Sequence, residues 1–267
     1  MNDDGPQPAG SGAEAPRPPG SRRRRRWLWA GWSVLVVLVV ALGGFAIWAT
    51  STPEPGPGAV AALRSDGRVE VIEGDGYTFA PTRPADAGFV LYPGARVDPA
   101  SYAVPARQIA EAGFLVVVPE LTLNLAVLDA GAADAAIDAH PDIDRWVVGG
   151  HSLGGAIAAG YAEDHPDTVS GLVLWAAYPA ERADLSALDL DATSVFGTRD
   201  GLTTREDIDG SRDRLPTGTD FVPIEGGNHA QFGDYGPQDG DRPATITRRE
   251  QQEQAVRATV EVLRAGA

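Results

Sequence analysis

The chain has 267 residues, enough for one sizeable α/β domain with a well-buried core, and we expect one such domain. It carries 37 acidic against 22 basic side chains, a net charge of −15. This balance argues against a nucleic-acid partner, because phosphates would be repelled. The absence of cysteine excludes disulfides and thiolate metal sites.

The N-terminal part of the chain is predicted to be a tail followed by a membrane helix. Residues 1–26 are interpreted as a disordered cytoplasmic tail, since they are rich in Pro, Gly, Ala and Ser and end in the arginine cluster 22–26. Residues 27–50 contain no charged side chain. At about 1.5 Å per residue they are long enough to cross a hydrocarbon core of about 30 Å.

Flanking residues predict the orientation of this segment. Tryptophans lie at both ends, where indoles favour the headgroup boundary, and arginine clusters stay on the cytoplasmic side. We therefore expect a single-pass cell-membrane protein with its N-terminus cytoplasmic and the remainder outside the cytoplasm. A cleaved signal peptide and a buried core helix are the alternatives, although a cleavable apolar region usually has only about 7–15 residues.

The remainder of the chain is predicted to be a Pro/Gly spacer, residues 51–59, followed by a catalytic domain over residues 60–267. Runs such as FLVVVP and GLVLWA are continuously apolar, which is typical of strands covered on both faces. Helix-like stretches separate them, so the pattern predicts a doubly wound, mainly parallel α/β sheet. Strands are predicted at residues 69–72, 89–92, 114–118, 146–149, 171–175, 193–196 and 221–224, and helices at 99–112, 126–140, 154–165, 203–215 and 248–265.

The stretch GGHSLGGA joins a predicted buried strand to an alanine-rich helix. Its G-x-S-x-G pattern, with Gly150 and Gly154 around Ser152, is typical of a tight turn that presents a nucleophilic serine at the carboxyl end of a sheet. The serine also lies at a helix N-terminus, where free N–H groups favour developing negative charge. The Leu153 N–H is therefore a candidate oxyanion donor.

A serine nucleophile needs a base, and the chain has four histidines. His140 precedes a strand, His151 adjoins the serine in a turn whose neighbouring side chains point apart, and His165 lies at the far end of the following helix. His229, in the loop after the last predicted strand, is the remaining candidate.

The acid is expected between serine and histidine in the sequence, at the end of another strand. Asp200 in FGTRDG meets this condition, although it is also placed to cap the following helix. Three rivals lie in a polar helical stretch and are interpreted as solvated: Asp207, Asp209 and Asp213.

A second oxyanion donor is expected in the loop YPGARVDP, after the second predicted strand. Gly94 permits close backbone approach there, and the N–H of Ala95 or of Arg96 is the candidate donor. The sequence does not choose between them.

The motifs GGHSLGG, FGTRDG and GGNHAQFGDYG, in that order, resemble the α/β-hydrolase superfamily. With the stretch from YPGARVDP to LNLAV, the chain resembles a compact bacterial branch, alpha/beta hydrolase fold family 5, akin to dienelactone hydrolases. The resemblance implies Ser152 as nucleophile, Asp200 as acid and His229 as base of a serine esterase that needs no metal or organic cofactor. Only residues 179–192 separate two of the predicted strands, so a large cap domain is not expected.

The expected activity is hydrolysis of an ester or related acyl bond in a small-molecule or lipid-like substrate. Acyl transfer to a cell-envelope acceptor and a non-catalytic binding role are the alternatives. A calcium loop at Asp234, Asp239 and Asp241 does not match EF-hand spacing, and a solvated acidic loop is preferred. The LNLAV stretch either lines the site or contains Asn124 as a helix N-cap.

Overall fold

The computed structural model describes residues 21–265, so residues 1–20 of the predicted tail 1–26 and the last two residues of the chain lie outside the described part. The chain divides into two compact units, Met1–Ile47 and Trp48–Ala267. Helix α1, Ser21–Thr50, lies mostly in the first unit and begins six residues before the predicted membrane segment. Its stretch Trp27–Trp48 has a mean hydropathy of 2.3 and no buried residue in the most apolar window.

The second unit contains one eight-stranded sheet in the order β1-β2-β4-β3-β5-β6-β7-β8. β2 pairs antiparallel with β1 and with β4, and every other neighbouring pair is parallel. This arrangement confirms the predicted mainly parallel fold. The strands are β1 Val69–Gly74, β2 Gly76–Pro81, β3 Gly88–Tyr92, β4 Leu115–Pro119, β5 Trp146–His151, β6 Val169–Trp175, β7 Asp191–Gly197 and β8 Asp220–Ile224.

The seven predicted strands are all present, and β2 is an addition. It follows β1 through a tight turn in which Gly76 has φ of +111°, and a Cβ there would lie 2.2 Å from the Val118 carbonyl oxygen. The segment GDG between two short apolar runs is a recognisable hairpin signal.

Helices cover both faces of the sheet. Apolar side chains of α2, α3 and α7 pack with one face, and those of α4 and α5 with the other. Residues of β3 alternate between the two sides, Phe89 and Leu91 on one and Val90 and Tyr92 on the other. The helices are α2 Pro57–Ala62, α3 Ala103–Glu111, α4 Ala132–Asp138, α5 Leu153–Asp164, α6 Arg205–Asp209 and α7 Arg248–Arg264.

Several predicted helices are shorter or broken. Two begin as 3-10 turns, Pro99–Tyr102 and Ala126–Leu128, and the segment predicted at 203–215 divides into α6 and the 3-10 turn Arg212–Arg214. Glycine and serine at Gly210 and Ser211 interrupt the latter, because both residues disfavour a helix interior. α2 begins at Pro57, within the predicted spacer, where proline suits a first helical position.

The connection from β6 to β7 places no domain over the sheet. Residues 176–190 contain neither helix nor strand in the described structure. The prediction of a fold without a large cap domain is therefore confirmed.

Candidate active site

Ser152 occupies a strained turn between β5 and α5. Its φ of 53° and ψ of −123° place it in a region that residues with a side chain rarely adopt. Its N–H donates to the Trp175 carbonyl oxygen at 2.9 Å, which ties the turn to the end of β6. The serine is half-buried and directly precedes the first residue of α5.

The turn closes only because its glycines lack side chains. A Cβ on Gly150 would lie 2.5 Å from the Gly154 carbonyl carbon, and one on Gly154 would lie 2.3 Å from the backbone oxygens of Tyr92 and Pro93. Real Cβ contacts are not this short. The two glycines let this strand-to-helix turn, residues 150–154 and called the serine elbow below, pack against the end of β3.

His229 and Asp200 form a buried pair. The imidazole Nδ1 lies 2.9 Å from Asp200 Oδ2, and the two side chains are 1% and 0% exposed. The other carboxylate oxygen, Oδ1, accepts from the N–H groups of Leu202 at 2.8 Å and Thr203 at 2.7 Å. The carboxylate is thus held by its own loop while Oδ2 remains for the imidazole.

Asp200 does not cap the next helix. The N-cap of α6 is Thr204, which forms a capping box with Asp207. Asp209 pairs with Arg205 and Arg212. The structure therefore commits two of the rival carboxylates to local contacts away from the imidazole.

The second imidazole nitrogen of His229, Nε2, is buried and has no hydrogen-bond partner among residues 21–265. No hydrogen bond joins it to the Ser152 hydroxyl in this conformation. The serine turn and the histidine loop nevertheless touch, since the His151 and His229 rings lie 4.6 Å apart between centroids. Catalytic hydrogen bonds are often long in the absence of substrate and tighten when it binds.

The remaining histidines have other contacts. His151 bonds to Tyr102 and to the His229 backbone, and His165 lies at the C-cap of α5 with its Nδ1 2.9 Å from the Tyr161 carbonyl oxygen. His140 packs beside Trp146. Among the four, only His229 contacts a buried carboxylate.

Of the three candidate N–H donors in the loop after β3, one has no acceptor among residues 21–265. The Gly94 N–H donates to the Tyr102 hydroxyl at 2.9 Å, and the Arg96 N–H donates to the Asn124 carbonyl oxygen at 2.8 Å. Within the described chain no acceptor is found for the Ala95 N–H or for the Leu153 N–H at the start of α5. Of the predicted donors, these two are free.

Asn124 has φ of +53° and its side chain makes no cap, so the interpretation of Asn124 in LNLAV as a helix N-cap is wrong.

The acidic loop after His229 is less solvated than predicted. Asp234 is 4% exposed, bonds to Arg248 and accepts the Ala59 N–H at 3.0 Å. Across residues 21–265 no group of three metal-ligating side chains occurs.

Sequence reasoning did not select three residues that support the site. Tyr102 and Gln251 are buried, and Asp241 bonds to the loops of both Asp200 and His229. Each acts through a contact with a distant part of the chain. No local pattern marks such contacts.

A mainly parallel sheet of this topology, with a G-x-S-x-G turn and a buried His–Asp pair after its strands, is typical of the α/β-hydrolase fold. A model of the alpha/beta hydrolase family matches residues 88–253, more than half of the chain. The chain belongs to the alpha/beta hydrolase family, which supports hydrolase activity. No curated protein matches the sequence significantly.

Proposed function

We propose that the protein is a serine hydrolase that cleaves an ester or related acyl bond through Ser152, His229 and Asp200. The observation that carries the proposal is the buried contact of 2.9 Å between His229 Nδ1 and Asp200 Oδ2, in a loop that touches the serine elbow. A carboxylate accepting at Nδ1 requires the proton to be there, which leaves Nε2 as the base.

In the proposed acylation step, Nε2 takes the proton from the Ser152 hydroxyl as Oγ attacks the substrate carbonyl carbon. Asp200 holds the ring and stabilises the imidazolium that forms. The unpartnered Nε2 supports this role, because a buried nitrogen without a partner is costly unless it acts on a ligand or a rotating hydroxyl. Rotation of the half-buried serine side chain or binding of substrate would complete the contact.

The oxyanion of the tetrahedral intermediate is assigned to the N–H groups of Ala95 and Leu153. Both lack an acceptor in the described chain, and Leu153 adds the positive end of α5. The imidazolium then gives its proton to the leaving oxygen. Water, activated by the same histidine, attacks the acyl-enzyme and releases the acid.

A fluorophosphonate probe tests this assignment on the full-length protein in detergent micelles. We expect covalent labelling of the wild type and none of Ser152→Ala, with chromogenic esters of increasing acyl length hydrolysed by the wild type alone. Absence of labelling in folded wild-type protein would reject the enzyme and favour a binding role. Product analysis with added alcohols separates hydrolysis from acyl transfer.

We further infer that α1 anchors the domain in a membrane. A helix in a soluble core buries its apolar side chains, whereas the stretch Trp27–Trp48 buries none in its most apolar window. The arginine cluster before it predicts that the catalytic domain lies outside the cytoplasm. Such an anchor suits an acyl substrate presented at a membrane surface.

Fractionation tests the anchor. The full chain with an N-terminal tag should stay with membranes after alkaline extraction, and the double variant Leu38→Arg, Val39→Arg should not, since each central arginine costs about 2.5–3.5 kcal/mol on insertion scales. Release of a shortened, untagged domain would instead identify a cleaved signal sequence. Protease accessibility in right-side-out vesicles reports the orientation.

A further inference from the structure

His151 is a buried titratable side chain that the proposed reaction does not use. It is 1% exposed and is the last residue of β5, directly before Ser152. Its ring nitrogens both have partners: Nδ1 lies 2.8 Å from the Tyr102 hydroxyl, and Nε2 lies 3.2 Å from the His229 carbonyl oxygen. A fully buried, fully bonded histidine has a defined protonation state.

The hydrogen bonds around it have only one consistent direction. The Tyr102 oxygen accepts from the Gly94 N–H at 2.9 Å, so its single proton is available for His151 Nδ1. The His229 carbonyl can only accept, so His151 Nε2 must carry the ring proton. The hydrogen bonds therefore all point in one direction, from the Gly94 N–H through Tyr102 and His151 to the His229 carbonyl.

Packing holds the ring in this position. Phe232 stacks on His151 at 5.6 Å, and Trp175 stacks on Phe232 at 6.0 Å. Burial, and secondly the nearby His229, lower the pKa of His151 well below its usual value. Burial also raises the pKa of Tyr102. Both groups are therefore neutral at neutral pH, as the hydrogen-bond direction requires.

We propose that Tyr102 and His151 are positioning residues that couple the oxyanion loop to the catalytic base. Gly94 directly precedes Ala95, and the His229 carbonyl belongs to the residue that carries the base. The hydrogen-bonded series Gly94, Tyr102, His151 and His229, called the relay below, therefore fixes the position of the Ala95 N–H relative to the base. The inference rests on the proposed function, in which Ala95 and His229 act on the same intermediate.

In the proposed reaction the neutral state of the His151 ring assists His229, in addition to the hydrogen bonds that the ring makes. During acylation His229 becomes an imidazolium with its ring centroid 4.6 Å from that of His151. A second positive charge at that distance in a buried site would oppose this step strongly. A neutral ring that donates to the His229 carbonyl supports the base without competing for its proton.

Substitutions separate these contributions in the full-length protein. His151→Gln retains one acceptor for Tyr102 and one donor for the His229 carbonyl, whereas His151→Leu retains neither. Tyr102→Phe preserves the ring and removes the hydroxyl. We expect kcat to fall about tenfold or more in His151→Leu and Tyr102→Phe with KM nearly unchanged, and to stay within roughly threefold of wild type in His151→Gln. The variant His165→Gln, at a half-buried histidine away from the site, is the matched control.

Nitrogen NMR of labelled histidine in micelles tests the relay without turnover. The wild type should show a neutral His151 with the proton on Nε2, and Tyr102→Phe should lose this single tautomer. A proton on Nδ1, an imidazolium at neutral pH, or equal impairment of folded His151→Gln and His151→Leu would overturn the proposal. Fluorophosphonate labelling is scored first, so failure of the proposed hydrolase function is recognised separately from failure of the relay.

Discussion

The side-chain amide of Gln251 on α7 bonds to both backbone groups of Asn228, the residue before the proposed base. Its Oε1 accepts the Asn228 N–H at 2.9 Å, and its Nε2 donates to the Asn228 carbonyl oxygen at 2.7 Å. Gln251 is completely buried. A side chain of the last helix thus replaces a neighbouring strand in satisfying the backbone that leads into His229.

Gln251→Leu should lower both stability and activity. It leaves a buried N–H and a buried carbonyl unpaired, each costing about 1–3 kcal/mol. We expect the free energy of unfolding to fall by about 2–6 kcal/mol in urea titrations, with kcat reduced at saturating ester. Gln254→Leu, whose amide bonds only to Glu250 of its own helix at 3.2 Å, is the control and should change little.

Asp241 joins the loops of the proposed acid and base. Its carboxylate accepts the Gly201 N–H at 3.1 Å and the Ala230 N–H at 2.9 Å. Hydrogen bonds to a charged group contribute about 1.5–3 kcal/mol each, so Asp241→Ala should lower kcat by about tenfold to hundredfold through displacement of His229 from Asp200. The exposed Asp239→Ala should retain wild-type kcat. Equal kcat in both variants would show that this link is unimportant for activity.

Two glycines of α5 should respond in opposite ways to alanine. Gly154→Ala forces a Cβ to 2.3 Å from backbone oxygens of Tyr92 and Pro93, and we expect a loss of at least about 1–3 kcal/mol in unfolding free energy together with lost esterase activity. Gly160 has no atom within 4 Å of its Cβ position. Gly160→Ala should stabilise the protein by about 1 kcal/mol, because alanine favours a helix interior.

The buried His151 predicts a stability that decreases in acid. In the unfolded chain this histidine takes up a proton below about pH 6.5, whereas its pKa in the folded protein is well below that value. As pH falls through this window the unfolded state binds more protons, so stability is lost at up to about 1.4 kcal/mol per pH unit. Above about pH 6.5 His151 is neutral in both the folded and the unfolded state, so it does not make the stability depend on pH.

Urea titrations between pH 7.5 and 5 check this slope against His151→Gln, which has no titrating ring. These pH values are chosen about one unit or more on either side of the histidine reference value. The variant should lose less stability on acidification than the wild type. Parallel curves would mean that His151 is protonated in the folded protein as readily as in the unfolded one.

Much of the fold could be predicted from local pattern. Strands such as Leu115–Pro119 and Val169–Trp175 read as apolar runs because both of their faces are covered, and α7 shows one apolar side. The turn around Ser152 could likewise be predicted, since a strand, two glycines and the start of a helix are adjacent in sequence. Strand β2 is not predicted by this pattern, because its buried residues Gly76 and Phe79 do not alternate with exposed ones.

The sequence by itself determined the family-typical order of serine, aspartate and histidine, the serine elbow, the long apolar helix and the parallel core, because each is written in contiguous residues. Only the tertiary structure decided which loop N–H groups are free, that Asp200 bonds to His229 instead of capping α6, and that Tyr102, Asp241 and Gln251 support the site. Those contacts join residues separated by many positions along the chain. These contacts form because the sheet brings the ends of distant loops together, and a local sequence pattern does not show which loops will meet.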